Sequence, residues 1–293
     1  MSEGAVVDAM RPGDHISGIV EDDARLGRIL AAYVGGAVPA RHKVACFVHA
    51  TTPAETLAGL AGAGVDPEAL LARGQLEILA ARDAYLGSGR FDLYAMIDRC
   101  LLAVAQARAE GYAGLRLVGD MSWAAGCTGD DLVEYEARVN RVYAGGYAIG
   151  LCLYDRRRFG ADRLATLLAA HPGAVDGSVD EGRAWVPLLR LRRADGADGA
   201  PVLRLAGEAD ISNRTAVTAV LDGLFDGSPE QGRRAATLDV SALRFVDVAT
   251  AHHVVELADR CGGLRVVGVS EQLARLFDFA GAAQVPGMVL EPA

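Results

Sequence analysis

Between Ile16 and Asp155, short runs rich in β-branched and aliphatic residues alternate with longer stretches whose apolar residues recur at helical spacing. A parallel strand pair needs a crossover of a dozen or more residues, so this alternation predicts a mostly parallel sheet with covering helices. Strands are expected at 16–20, 44–49, 76–79, 115–119 and 149–154. Helices are expected at 22–33, 53–61, 92–110, 130–143 and 162–170, the second with a proline suited to a first helical turn. The stretch from His171 to Gly182 is dense in turn formers and has no period, so it reads as a linker, with a boundary near residue 180.

A second α/β unit is expected beyond it, giving one unit over 1–178 and another over 185–293. Two strands, 186–191 and 202–206, flank a glycine- and aspartate-rich turn and suggest a hairpin. Helix 213–225, strand 236–240, helix 249–261, strand 264–269 and helix 271–280 follow. At 293 residues the chain is long enough for each unit to bury its own core.

Composition narrows the function. With 51% apolar and 23% charged residues the chain is expected to fold through most of its length. A formal charge of -9 opposes nucleic-acid phosphates and anionic membranes, so no direct nucleic-acid or membrane partner is expected. The first ten residues have no secretory pattern and no long apolar run occurs, so a cytoplasmic protein is expected. The five cysteines lie far apart without CxxC spacing and read as buried thiols rather than zinc ligands or disulfides. The run Arg156-Arg157-Arg158 is either a local basic patch or a solvated loop.

In open parallel sheets, ligands sit beyond the carboxyl ends of the strands. Those ends carry Glu21, His49, Asp120, Ser122, Trp123, Tyr154 and Asp155. On helix 130–143 the apolar stripe is Leu132, Tyr135, Val139 and Val142; Glu136 and Asn140 border it and either face inward together or form a solvated flank. His15 either joins the site or stabilises a turn. A small-molecule site is therefore expected among His15, Glu21, Asp120, Trp123, Glu136, Asn140, Tyr154 and Asp155, with Trp123 and the tyrosines serving either as pocket walls or as core. Ser122 has no nucleophile elbow around it and no metalloenzyme spacing occurs, so no catalytic residues, no metal ligands and no particular cofactor are assigned.

Residues 11–172 resemble the MEDS family, the sensory domain of DcmR-type regulators. The motifs are Pro12-Gly-Asp-His-Ile, Gly74-Gln-Leu-Glu-Ile, Tyr85-Leu-Gly-Ser-Gly-Arg-Phe-Asp, Gly119-Asp-Met-Ser-Trp, Val133-Glu-Tyr-Glu-Ala-Arg-Val-Asn and Cys152-Leu-Tyr-Asp-Arg-Arg-Arg-Phe. The resemblance implies a RecA/KaiC-like α/β fold that senses a small molecule or relays a signal. Where a phosphate loop would lie, the chain reads Gly18-Ile-Val-Glu-Asp-Asp-Ala-Arg, with Asp23 and Ala24 in place of the glycine and lysine that cradle phosphate. Each of the carboxylates Glu21, Asp22 and Asp23 would repel a triphosphate by about a kcal/mol or more. Hydrolysis is not expected; a degenerate domain that binds a nucleotide without turning it over is the alternative.

The second unit resembles the STAS family of anti-sigma-factor antagonists. The carriers are Val202-Leu-Arg-Leu-Ala-Gly-Glu-Ala-Asp-Ile, Leu238-Asp-Val-Ser-Ala-Leu-Arg-Phe-Val-Asp, Leu264-Arg-Val-Val-Gly and Leu273-Ala-Arg-Leu-Phe-Asp-Phe-Ala-Gly. The likeness implies docking to an anti-sigma factor or another histidine-kinase-like ATPase, through Glu208, Asp210, Ser212, Asp247, Ala249 and Thr250. Ala249 occupies the place of the family's phosphoacceptor serine, so the usual switch is lost, with Thr250 as the one nearby hydroxyl. Asp247 is expected to cap the helix that follows. A homodimer is expected by analogy. The whole reads as a non-enzymatic regulator of transcription acting through a protein partner.

Overall fold

The computed structural model describes residues 3–87, 89–127, 129–175, 187–196, 199–224 and 236–293. The first unit runs α1 (Glu3–Ala9), β1 (His15–Val20), α2 (Asp23–Gly35), α3 (Ala37–Ala40), β2 (His42–Val48), α4 (Pro53–Gly62), α5 (Pro67–Ala72) and β3 (Leu76–Ala80). It continues with α6 (Ala81–Leu86), α7 (Leu93–Ala109), β4 (Gly114–Asp120), a 3-10 segment (Met121–Gly126), α8 (Asp131–Ala144), β5 (Ala148–Asp155), α9 (Ala161–Ala169) and β6 (Gly173–Val175). Among the described residues these strands form one six-stranded sheet in the order β3-β2-β4-β5-β1-β6, every pair parallel.

Local chemistry sets the helix starts. The Asp22 carboxylate accepts from Arg25 N at the head of α2, and Thr52 and Glu55 form a reciprocal capping box before Pro53 on α4. Because side chains alternate along a strand, β5 sends Leu151 and Leu153 to the face covered by α2 and Cys152 and Tyr154 to the face covered by α7, α8 and α9. Each face of the sheet has its own apolar core.

The second unit comprises β7 (Leu189–Asp195), β8 (Pro201–Ala209), α10 (Arg214–Asp222), β9 (Thr237–Val246), α11 (Val248–Cys261), β10 (Leu264–Val269), α12 (Glu271–Phe279), a 3-10 segment (Ala282–Gln284) and β11 (Met288–Pro292). The sheet order is β11-β10-β9-β8-β7, with β7 antiparallel to β8 and the other pairs parallel. Gly207 has φ +116°, and a Cβ there would stand 2.2 Å from Leu188 O, so the bend in β8 requires glycine.

The expected α/β architecture of both units is what the structure has. The stretch read as linker departs from expectation at its start: Gly173–Val175 pairs with β1 as β6, three residues too short for a periodic signal. The expected boundary near 180, the strand start at Val186 and the helix end at Phe225 lie outside the described residues. Helices α1, α5 and α6 and the strand β11 were not expected, and β9 runs to Val246 rather than 240. No helix among the described residues is long and apolar enough to cross a membrane.

The two units meet along α8 and α10. Arg141 of α8 donates to Ala219 O at 2.8 Å, and its guanidinium lies over Gly223. Arg190 of β7 donates through Nε to Asp14 Oδ1 at 3.0 Å, and Asn213 Nδ2 reaches Pro172 O at 3.5 Å.

Candidate functional site

On the inner turn of α8, Leu132, Tyr135, Glu136, Val139, Asn140 and Tyr143 are buried together. Their spacing is that of one helical stripe, so Glu136 and Asn140 belong to the inward face. Two buried residues of β1 and β5, His15 and Cys152, meet them from the sheet, and His171 closes the group just beyond α9.

Glu136 is at the centre. Its Oε1 accepts from Tyr154 Oη at 2.7 Å. Its Oε2 lies 3.5 Å from His15 Nε2, 3.4 Å from His171 Nε2 and 3.5 Å from Cys152 Sγ. His15 Nε2 is also 3.4 Å from Cys152 Sγ. The His15 ring stacks on Tyr143 at 4.5 Å and tilts against His171 at 4.3 Å. Room for the stack comes from Gly150, where a Cβ would stand 2.5 Å from Tyr143 Cζ and 2.7 Å from His15 Cδ2.

The hydrogen bonds fix the tautomers. Asn140 Nδ2 donates to the carbonyls of Glu136, Ala137 and Ala170, which turns its Oδ1 toward His15. His15 Nδ1 therefore carries the proton and donates to Asn140 Oδ1 at 2.9 Å. His171 Nδ1 donates in the same way to Leu167 O at 2.8 Å. His15 Nε2 thus turns a lone pair toward Glu136 and Cys152, and His171 Nε2, fully buried, faces Glu136 Oε2 without an aligned hydrogen bond.

Burial, reinforced by the neighbouring His171, lowers the His15 pKa to about 3, so His15 is neutral at ordinary pH. Burial, followed by the charge of Glu136, pushes the Cys152 thiol and the Tyr154 hydroxyl well up. Glu136 itself is opposed by burial, yet His171, His15 and Tyr154 outweigh that and hold it below the ordinary carboxylate value. An ionised carboxylate, the neutral His15 imidazole, the His171 ring and a thiol thus share one enclosed space.

Of the eight expected ligand residues, His15, Glu136, Asn140 and Tyr154 come together, at the α8 face of the sheet rather than beyond the strand ends. The other four do not join them. Asp120 accepts from the backbone N–H of His49, Ala50 and Ser122 and clips the end of β4. Trp123 packs in the core, stacked on Tyr85 at 4.6 Å. Glu21 pairs with Arg156 at 2.8 Å, and Asp155 accepts from Arg157 Nε at 2.9 Å and Nη2 at 2.7 Å while the same guanidinium reaches Asp23. The three-arginine run is therefore the counter-charge of the acidic corner, neither a free basic patch nor a purely solvated loop.

Sequence reasoning missed Cys152 and His171. Cys152 lies two residues before Tyr154 on one strand and so shares its face, a signal that was available. His171 looked like the first residue of a linker.

In the second unit, Asp247 caps α11 by accepting from Thr250 N at 2.7 Å and pairs with Arg214 at 2.6 Å. Asp210 accepts from the backbone and hydroxyl of Ser212, and Glu208 pairs with Arg244. Ala249 is exposed in the first turn of α11, whereas Thr250 is 2% exposed. Ile211, Phe245 and Val248 are exposed at the neighbouring ends of β8 and β9. His252 and His253 point to separate partners, Glu256 and Asp222.

Together these features define a two-unit α/β chain in which a buried polar cluster and a surface helix start occupy different units. Residues 14–172 match the family described as MEDS, MEthanogen/methylotroph, DcmR Sensory domain, and the chain belongs to that family. Residues 193–291 match the family described as Mlab, STAS domain. Sensory and STAS domains in this order support a signalling or regulatory role. The chain is also similar, at 32% identity over 213 residues, to a putative 23S rRNA (guanine-N(1)-)-methyltransferase from Micromonospora griseorubida. That match covers 70% of this chain and spans 60% of the relative's length. Among solved structures it is similar to the flagellar accessory protein FlaH from Methanocaldococcus jannaschii, at 14% identity and a TM-score of 0.38, over 71% of this chain and 82% of that one.

Proposed function

We propose that the chain is a non-catalytic signalling protein in which the first unit registers a signal and sets the availability of a docking surface on the second. The partner is an anti-sigma factor or a related histidine-kinase-like ATPase, and transcription is affected through it. One observation carries this reading: Ala249 lies exposed at the start of α11 beside the exposed apolar side chains of Ile211, Phe245 and Val248. Apolar side chains gathered around a helix start suit a protein partner, while a methyl group at residue 249 cannot accept phosphate. Thr250 is enclosed and offers no kinase access.

Control then passes through contact. Glu136 and Asn140 lie on the same helix as Arg141, which touches α10, and His15 adjoins Asp14, which is paired with Arg190. A change at the cluster that shifts α8 would reach α10 and the Glu208–Asn213 turn that precedes it.

The nucleotide-holding alternative is disfavoured by the β1–α2 connection. There the Asp22 side chain already occupies a free N–H of α2, and Asp23 and Glu21 are paired with arginines.

The test is affinity capture of purified anti-sigma and histidine-kinase-like ATPase proteins from the source genome on the full-length chain. Retention of at least one, with no ATP-dependent phosphate transfer to the chain, is expected. Retention of none removes this partner class, and measured nucleotide turnover by the chain itself removes the non-catalytic reading.

A further inference from the structure

The cluster of His15, Glu136, Cys152 and His171 poses an electrostatic problem. Two imidazole Nε2 atoms, a thiol sulfur and a carboxylate oxygen converge in a space closed to water, all within 4.8 Å of one another. The Cys152 thiol has one proton and satisfies one acceptor; His171 Nε2 is left without an aligned donor. A buried polar atom without a partner is costly, and a cation placed among these four atoms would satisfy all of them.

The distances fit a particular cation. Bonds of about 2.0–2.3 Å to nitrogen, oxygen and sulfur around a tetrahedral metal place neighbouring donors about 3.3–3.6 Å apart. Four of the six donor separations match: His15–Cys152, His15–Glu136, His171–Glu136 and Cys152–Glu136 are 3.4, 3.5, 3.4 and 3.5 Å, while the two from His171 Nε2 to His15 and Cys152 lie within 4.8 Å and would adjust on binding. The surroundings fit as well. Each imidazole is held by its Nδ1–H on a carbonyl oxygen, and the far carboxylate oxygen accepts from Tyr154, the supporting bonds that orient metal ligands. The charges of a thiolate, a carboxylate and a divalent ion sum to zero, as a sealed interior favours.

We infer that His15 Nε2, His171 Nε2, Cys152 Sγ and Glu136 Oε2 form a four-ligand site for a divalent transition metal of the zinc class. On binding, the Cys152 S–H bond breaks and its proton leaves to solvent, while one metal–sulfur, one metal–oxygen and two metal–nitrogen bonds replace the ion's water ligands. The metal would tie β1, β5 and α8 to the His171–Pro172 segment, whose Pro172 carbonyl accepts from Leu189 N of the second unit at 3.2 Å. This inference stands on the ligand geometry and does not depend on the signalling reading.

The experiment is a cobalt(II) titration of the full-length chain, reduced and stripped with a chelator. Expected are one equivalent bound, the intense visible bands of tetrahedral cobalt, a sulfur-to-cobalt charge-transfer band in the near ultraviolet and release of one proton. Zinc should bleach the bands and raise the melting temperature, and a chelator should reverse that rise. Cys152→Ser should lose the charge-transfer band, and His171→Gln should weaken cobalt binding by at least about tenfold. A folded wild-type chain that develops no cobalt bands and whose melting temperature ignores both metals overturns the inference, whether or not the variants fold. A charge-transfer band that persists in Cys152→Ser also overturns it, because the sulfur would then belong to another cysteine.

Discussion

Asp14 and Arg190 form a 3.0 Å ion pair that joins the two units one residue before His15. Asp14 is 1% exposed by side chain and Arg190 26%, so the carboxylate depends on this guanidinium and on the Arg11 N–H, which donates at 2.8 Å. Removing the arginine leaves a buried charge short of its partner. Arg190→Ala is expected to destabilise the chain by about 1–3 kcal/mol, measured by urea unfolding. Asp14→Asn should recover part of that loss in the double variant. Additive effects would mean that the pair does not couple the units.

The His15 environment sets a pH dependence. Its folded pKa is lowered from 6.5 to about 3, so as pH falls below 6.5 the unfolded chain takes up a proton that the folded chain refuses. Stability therefore falls with acidification across that window, by up to about 1.4 kcal/mol per pH unit from this residue, and is unaffected by it above the window. His42, lowered by burial and by Arg116, contributes in the same direction. The comparison of wild type with His15→Asn isolates the His15 share: the variant should lose about one proton's worth of slope. Equal slopes would place the His15 pKa near its ordinary value.

Gly150 permits the stack of His15 on Tyr143. Gly150→Ala forces a methyl into rings that stand 2.5 and 2.7 Å from its position, both of them buried. A loss of about 1–3 kcal/mol is expected in thermal or urea unfolding. Unchanged stability would mean that the β5–α8 packing is looser than described.

Ala249→Ser restores a hydroxyl at an exposed helix start where phosphate would meet free N–H groups. The variant should accept phosphate from a captured kinase-like partner while the wild type does not, read by intact-mass measurement. Phosphate on wild-type Thr250 would contradict the burial of that side chain.

Periodicity made the two sheets and most helices legible, because strand and helix spacings differ and long elements repeat them several times. Short pieces such as Gly173–Val175 and Met288–Pro292 have too few residues to repeat anything, and their pairing is set by tertiary contact. Half of the candidate ligand residues were found together because Glu136 and Asn140 are four apart on one helix and Tyr154 lies on the strand beneath it. Residues 15, 136, 152 and 171 come from four separate segments, so no local spacing could announce them as one set. Asp120 and Asp155 stand apart because a strand end attracts polar residues for turn and capping bonds as readily as for a ligand, and Trp123 because its ring stacks into the core on Tyr85.

The central claim is that a change at Glu136 is felt across the α8–α10 seam. Hydrogen–deuterium exchange of the full-length chain, wild type against Glu136→Gln, tests it most directly. Altered exchange is predicted at Arg214–Asp222 and in the preceding turn at residues 208–213, in the unit that Glu136 does not belong to. Exchange altered only in β1, β5 and α8, with the second unit unchanged, would contradict it.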